Sequence, residues 1–342
     1  MTPADVRLAF FDTKPYDKES FERQNQQFGF SLTFFPNHLT PQTVSLCQGF
    51  DAVCAFVNDT INAEVVEKLA SYGTQLIAMR SAGYNNVDLK ACAGRLKVAR
   101  VPAYSPHGVA EYAVSMMLTL NRNTHRAFYR TRDSNFSING FLGFDMYGKT
   151  AAIIGTGQIG RIVCEILQGF GMTVLAYDPY PAKAWAEEHG IELVDLETAY
   201  ERADILTLHC PLTPQNIHMI NRETIAMMKP GVMIINTGRG KLIRTEDLLE
   251  GLRSGQIGSA GLDVYEEETD YFFEDYSNLI VKDDVLARLL TFPNVLLTSH
   301  QAFFTEEALA NIAQTTLNNV REFFNGENLT NEVLPPQKQV KA

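Results

Sequence analysis

The chain has 342 residues, 45% of them apolar and 20% charged, as in an ordinary globular protein of about two domains. No apolar run reaches the roughly 18 residues of a membrane span, and a net charge of −11 argues against nucleic acid as a main partner. The opening MTPADVRLAFFD lacks the charged start, apolar core and cleavage site of a secretion signal, so the expected location is the cytoplasm.

In chain order, residues 6–10, 31–35, 52–57 and 76–79 read as short apolar strands. Helical stretches separate them, among them the amphipathic run 63–72. Alternating strand and helix implies a parallel sheet with crossover helices. The loop Arg80-Ser-Ala-Gly-Tyr-Asn-Asn-Val-Asp88 follows the fourth strand. It is either a structural turn or a place where backbone N–H groups hold a carboxylate. A strand at 98–102 leads into Pro102-Ala-Tyr-Ser-Pro106, whose two prolines mark a stiff crossing between domains. Residues 111–121 form a strongly apolar helix, expected at a domain or subunit interface. After it Arg122, Arg126 and Arg130 recur four apart, either as a solvated or interface face or as an anion-binding patch.

Residues 150–179 organise the rest. A buried strand at 151–154 runs into Gly155-Thr156-Gly157-Gln158-Ile159-Gly160. A helix to residue 169 and a second strand at 173–177 follow, ending in Asp178. In this G-x-G-x-x-G pattern the first glycine makes the tight turn. The second lets backbone approach a pyrophosphate, and the third lets helix pack on strand. The helix N-terminus supplies N–H groups and a positive dipole end to the phosphates. Asp178 would accept the ribose hydroxyls and repel a 2′-phosphate, favouring NAD over NADP.

The alternation continues with strands at 205–209, 232–236, 258–264 and 295–298. They end at Cys210-Pro211, Thr237-Gly238-Arg239-Gly240, Asp263 and Ser299-His300. Ligands bind outside the carboxyl ends of such strands. Residues 265–290 form an acidic, aromatic insert, 306–324 an amphipathic helix returning to the first domain, and 334–342 a frayed tail.

Three residues near strand ends suit reduction of a 2-oxo acid. Arg239 has the planar fork to hold a carboxylate and polarise a carbonyl. His300 can protonate the forming alkoxide, and Glu268 could fix its tautomer and favour the imidazolium. Each has a plainer alternative, since acidic runs are usually solvated and core histidines are common. The five cysteines (Cys47, Cys54, Cys92, Cys164, Cys210) are odd in number and lack C-x-x-C spacing, so neither a disulfide framework nor a metal site is expected.

Taken together, the glycine fingerprint, Asn236-Thr-Gly-Arg-Gly240, Gly261-Leu-Asp-Val-Tyr-Glu-Glu-Glu268 and Ser299-His-Gln-Ala-Phe303 carry a resemblance. So do Ser81–Asp88, Val101–Pro106 and, in the insert, Phe272-Phe-Glu-Asp275. Over nearly its whole length the chain resembles the NAD-dependent D-isomer-specific 2-hydroxyacid dehydrogenases, most of all their fermentative D-lactate branch. The resemblance implies an α/β protein with two doubly wound parallel sheets. A Rossmann NAD domain (104–301) would be inserted into a flavodoxin-like substrate domain (1–103 and 302–342). The cleft between them would close by hinge motion.

It implies Arg239, His300 and Glu268 as the catalytic set, reducing pyruvate to D-lactate with NADH. Ala82 and Gly83 would offer N–H groups to the substrate carboxylate, Tyr104 would hydrogen-bond the substrate, and Phe303, with Phe56, would wall a small pocket. Cys210, Pro211 and Thr213 would pass the adenine side, Asp263 would face the nicotinamide carboxamide, and Thr237, Gly238, Arg239 and His300 would also touch cofactor. A homodimer or tetramer is expected from the same resemblance. A relative preferring a bulkier 2-oxo acid and an NAD-sensing corepressor-like binding protein are the alternatives.

Overall fold

The computed structural model describes residues 5–267 and 271–335. The chain divides into two compact units, Met1–Ser105 with Phe304–Ala342, and Pro106–Phe303. Both dividing points fall two residues beyond the boundaries read from the sequence.

In the first unit, β1 (Arg7–Phe10), α1 (Pro15–Asn25), β2 (Ser31–Phe34), β3 (Ala52–Ala55), α2 (Ala63–Ser71), β4 (Leu76–Met79), α3 (Leu89–Cys92) and β5 (Lys97–Ala99) succeed one another. The strands make one five-stranded parallel sheet in the order β2-β1-β3-β4-β5. β3 and β4 are buried along their whole length, which is why their sequences are continuous apolar runs rather than alternating ones. β5 leaves the ladder earlier than expected. The N–H groups of Arg100 and Val101 turn instead to the carbonyls of Asn331 and Ser81, and Pro102 has no N–H to continue the strand.

The second unit opens with α4 (Pro106–Arg122), longer at its start than the apolar run suggests. Pro106 stands at its first position, where proline costs no hydrogen bond. After α5 (Thr124–Arg132) come β6 (Thr150–Ile154), α6 (Gln158–Gly169), β7 (Thr173–Tyr177), α7 (Lys183–Glu188), β8 (Glu192–Leu193), α8 (Leu196–Arg202) and β9 (Ile205–Leu208). Then follow α9 (Arg222–Met227), β10 (Val232–Asn236), α10 (Thr245–Ser254), β11 (Ile257–Leu262), α11 (Asp284–Leu289) and β12 (Val295–Leu297). Its seven-stranded sheet runs β12-β11-β10-β9-β6-β7-β8, and every pairing is parallel. The chain reverses its direction of winding between β6 and β9, the switch point at which such sheets bind ligands. Apolar side chains cover both faces, with Ala152, Leu206 and Ile234 in one core and Ala151, Ile153 and Ile235 in the other.

Residues 271–273 of the insert pack on the core of the second unit. Phe272 is buried, the Tyr265 hydroxyl donates to Asp283 (2.7 Å), and Asp283 N–H donates to the Tyr271 hydroxyl (3.1 Å). Finally α12 (Glu306–Phe324), capped by Thr305, packs on α1 and β4 of the first unit.

Candidate active site

At the switch point the sequence removes side chains. Gly155 follows β6 at φ +100°, and a Cβ there would lie 2.8 Å from the backbone of His209 and Cys210. A Cβ on Gly160 would lie 1.9 Å from the Gly155 carbonyl oxygen, so only glycine lets α6 approach β6 this closely. Gly157 faces open space and caps α6 without a side-chain bond. The first-turn N–H groups of α6 are thus presented to whatever anion arrives.

Asp178, at the end of β7, accepts from Thr156 N–H (2.7 Å), the Thr156 hydroxyl (3.0 Å) and Tyr180 N–H (2.8 Å). Burial alone would raise its pKa, but these bonds and nearby Arg161 outweigh it and hold the carboxyl below its usual range. It is therefore ionised at neutral pH, the form that accepts ribose hydroxyls. Across the switch point, Asn216 braces the Cys210–Thr213 turn, accepting from Thr213 N–H (2.7 Å) and donating to the Pro211 carbonyl (2.8 Å). Burial pushes the Cys210 thiol up to about 11, which makes it a neutral wall rather than a nucleophile. The buried Thr237 hydroxyl, just past β10, finds no hydrogen-bond partner among the described residues. Two glycines that clear backbone, a third that faces open space, exposed helix-end N–H groups, an ionised acid 18 residues on and an orphaned hydroxyl all fit a dinucleotide.

Further along the same sheet edge stand Arg239 and His300. Asn236 shapes the turn that carries Arg239. Its side-chain oxygen accepts from Gly238 N–H (3.0 Å), and its amide donates to the Arg239 carbonyl (2.9 Å). The guanidinium is half-buried and, among the described residues, donates once, to the Gly238 carbonyl (2.7 Å). Its other N–H groups remain available to a carboxylate.

His300 follows β12 at φ +52°, a left-handed conformation that costs a non-glycine residue roughly 1 kcal/mol or more. What holds it there is Asp263. The Asp263 carbonyl accepts His300 N–H (2.7 Å). Its carboxylate accepts the Thr298 hydroxyl (2.6 Å) and the N–H groups of Gln301 (2.9 Å) and Ala302 (2.8 Å). Burial pushes the Asp263 carboxyl up, against those bonds and the nearby imidazole. The fully buried Asp263 carboxylate thus braces the His300 loop. The Phe273 ring lies 6.0 Å from that of His300, and Phe303 is half-buried. Glu268 lies outside the described residues.

In the first unit the loop after β4 carries Ala82 and Gly83, both half-buried. Its shape is set by Ser81, whose hydroxyl donates to the Gly83 carbonyl (2.7 Å), and by Arg100, which donates to the Ala82 carbonyl (2.9 Å). Beneath it lies Arg80, which a sequence reading passes over because a charged residue before a loop looks solvent-exposed. It is buried, donating to the carbonyls of Phe11 (3.0 Å) and Asp12 (2.7 Å), pairing with Asp17 (3.4 Å) and lying 4.6 Å from the Phe56 ring centroid. Asp59, also buried, accepts Phe56 N–H and Leu39 N–H (both 2.6 Å) and is pushed up to about 6, chiefly by burial. Tyr104 accepts at its carbonyl from Asn311 (2.7 Å).

Residues 114–302 match the family model described as "D-isomer specific 2-hydroxyacid dehydrogenase, NAD binding domain". The chain is 52% identical over 330 residues to D-lactate dehydrogenase of Escherichia coli, covering 96% of this chain and all of that one. The chain belongs to the D-isomer-specific 2-hydroxyacid dehydrogenase family. The solved apo-structure of D-lactate dehydrogenase from Escherichia coli superposes with a TM-score of 0.89 at 50% identity, over 96% of this chain and 100% of that one. A structure of the pyruvate reductase of Chlamydomonas reinhardtii gives 0.93 at 41% identity, over 96% and 99%. NAD is the cofactor of the family domain matched here.

The remaining candidates resolve into supporting parts. All five cysteines are unpaired and four are buried. Burial pushes Cys47, Cys54 and Cys164 to about 12 and Cys92 to about 11. Of the arginine row, Arg130 lies 3.6 Å from the Phe141 ring centroid and donates to the carbonyls of Ser137 and Asn139 (both 2.9 Å), while Arg126 donates to Pro293 (3.4 Å). No helix among the described residues is long and apolar enough to cross a membrane.

Proposed function

We propose that this dehydrogenase reduces pyruvate to D-lactate with NADH, reversibly. The observation that carries the reading is the pairing, on one sheet edge beside the glycine turn, of an arginine fork with open donors and a histidine braced by Asp263. The names of the relatives supply the particular acid. Arg239 binds the substrate carboxylate and polarises the carbonyl, which a planar bidentate donor does better than lysine. His300 holds the proton that neutralises the alkoxide and recovers it in the reverse direction. Glu268 is assigned as its partner from its place in the Gly261–Glu268 motif, where it would favour the imidazolium. Ala82 and Gly83 offer N–H groups to the carboxylate, Tyr104 a hydroxyl, and Phe303 and Phe56 limit pocket size. NADH, when bound, supplies the hydride.

The glycine turn from Gly155 to Gly160 (through Thr156, Gln158 and Ile159) holds the pyrophosphate, and Asp178 the ribose. Cys210, Pro211 and Thr213 border the adenine, and Thr237 and Gly238 contact the nicotinamide end. Asp263 acts by keeping His300 aimed. His300→Ala should lower turnover about 10³-fold while NADH still quenches protein fluorescence with an affinity near the parent's. A variant that keeps more than a tenth of parental turnover would remove the acid/base assignment. Arg239→Ala should raise KM and lower kcat together.

Cytoplasmic residence is supported by five unpaired cysteines, which persist in reducing compartments. Self-association, as dimer or tetramer, is supported by the exposed apolar side chains of Phe128, Phe136, Ile138, Leu142 and Tyr147. Light scattering at micromolar concentration tests it, and a monomer mass would contradict it.

A further inference from the structure

The turn that carries Arg239 is held from outside by a pair the reaction itself does not use. Just past it, residues 241–244 run beside 218–220. His218 N–H donates to the Lys241 carbonyl (2.8 Å), Ile220 N–H to Leu242 (3.0 Å) and Arg244 N–H to Ile220 (2.9 Å). On the other flank, a Cβ on Gly240 would lie 2.0 Å from the Tyr265 carbonyl oxygen and 2.6 Å from Glu266 N. The Arg239–Gly240 backbone therefore rests directly against the segment that leaves β11. One carboxylate joins these parts. Glu266 Oε1 accepts from His218 Nε2 (2.5 Å), and Oε2 accepts Thr245 N–H (3.1 Å) and the Thr245 hydroxyl (2.9 Å).

Each partner is fitted to this task. Arg244, the N-cap of α10, makes no side-chain cap. Glu266 takes that role from a distant part of the chain, and a carboxylate at a helix N-terminus is favoured. His218 sits at φ +55°, a cost for a β-carbon residue that would be unrewarded if its ring faced solvent. The ring and the carboxylate are both partly shielded from solvent, at 34% and 19% exposure, so the charge-assisted bond is stronger than a surface pair.

We propose that His218 and Glu266 are positioning residues for the reaction. Through the Glu266 carboxylate they fix the turn that carries Arg239, and so set where its guanidinium meets the 2-oxo acid. The proposal rests on the role given to Arg239 above. Misplacing a binding and polarising group by about 1 Å can cost about 10²-fold, whereas the glycine turn at β6 lies on separate elements and should not respond.

Steady-state kinetics with pyruvate and NADH on the parent, His218→Ala and His218→Gln provide the test, with NADH affinity read by fluorescence. His218→Ala should lower kcat/KM for pyruvate roughly tenfold or more, raising KM as kcat falls, with NADH affinity within about twofold. His218→Gln, which carries the same backbone cost but an amide donor of similar reach, should recover most of the loss. A parent without pyruvate turnover contradicts the proposed function and the positioning role with it. A parent that turns over while His218→Ala matches it, or His218→Gln as impaired as His218→Ala, overturns the positioning role alone. Should His218→Ala not fold, Glu266→Gln carries the test. It removes the charge and should lower kcat/KM roughly fivefold, and parental values would overturn the role.

Discussion

The two sheets are built alike and treat their switch points in opposite ways. In the seven-stranded sheet the edge between β6 and β9 is cleared by Gly155, Gly157 and Gly160. In the five-stranded sheet the equivalent edge, between β1 and β3, is filled by the protein's own charges. There the Arg80 guanidinium takes the carbonyls of Phe11 and Asp12, Asp17 pairs with it, and Lys14 reaches Asp12 at 2.9 Å. Burial works against the Arg80 charge, but the carboxylates of Asp17, Asp59 and Asp12 prevail and keep it protonated. The same strand order can therefore make an open edge or a closed, ion-braced one. Whether side chains are absent or present at the first strand-to-helix turn decides between them.

The largest expected effect comes from emptying the filled edge. Arg80→Met should cost about 3–5 kcal/mol of stability, because it strands buried carboxylates and carbonyls, while NADH affinity of the folded fraction stays near parental. Urea denaturation measures it, and a change below about 1 kcal/mol would show that the cluster is not what closes that edge. Filling the open edge comes next. Gly160→Ala should weaken NADH binding about a hundredfold, since the new methyl must push α6 away from Gly155; fluorescence titration reads it, and parental affinity would break the comparison. Asp178→Ser should narrow the preference for NADH over NADPH about tenfold, seen in the ratio of kcat/KM values.

The smallest effect is in pH dependence. The Asp178 carboxyl titrates lower folded than unfolded. Its stabilisation is present above the ordinary carboxylate pKa of about 4 and fades as pH falls through the folded value. Asp178→Asn should therefore flatten the fall of Tm between about pH 5 and 3, modestly, because the group is partly exposed. An unchanged slope would argue against the bonds from Thr156 and Tyr180.

How much of this was legible in the sequence follows from the range of the forces involved. The glycine turn, its flanking strands and Asp178 lie within 30 residues, and each is dictated by local sterics or by spacing, so all could be read in advance. Arg239 and His300 were legible as polar residues ending apolar strands. Arg80, Asp59 and the His218–Glu266 pair were not. The partners of Arg80 and of the His218–Glu266 pair lie far away in sequence, 48 residues apart for the pair, and a lone charged residue in a sequence looks solvated. The bracing of the His300 loop by Asp263 was not legible either, because that loop arrives from β12. The short α7, α8 and α11 lack enough turns to show a helical period. In the insert, the burial of Phe272 and the Tyr265–Asp283–Tyr271 links were not legible, because they join residues separated by an acidic stretch.

The most direct measurement is NADH oxidation at saturating pyruvate, followed by the reverse assay on D-lactate and L-lactate separately. We predict turnover with pyruvate, reverse activity on D-lactate alone, and loss of both in His300→Ala. Tight NADH binding with no pyruvate turnover, or reverse activity on L-lactate, would contradict the account.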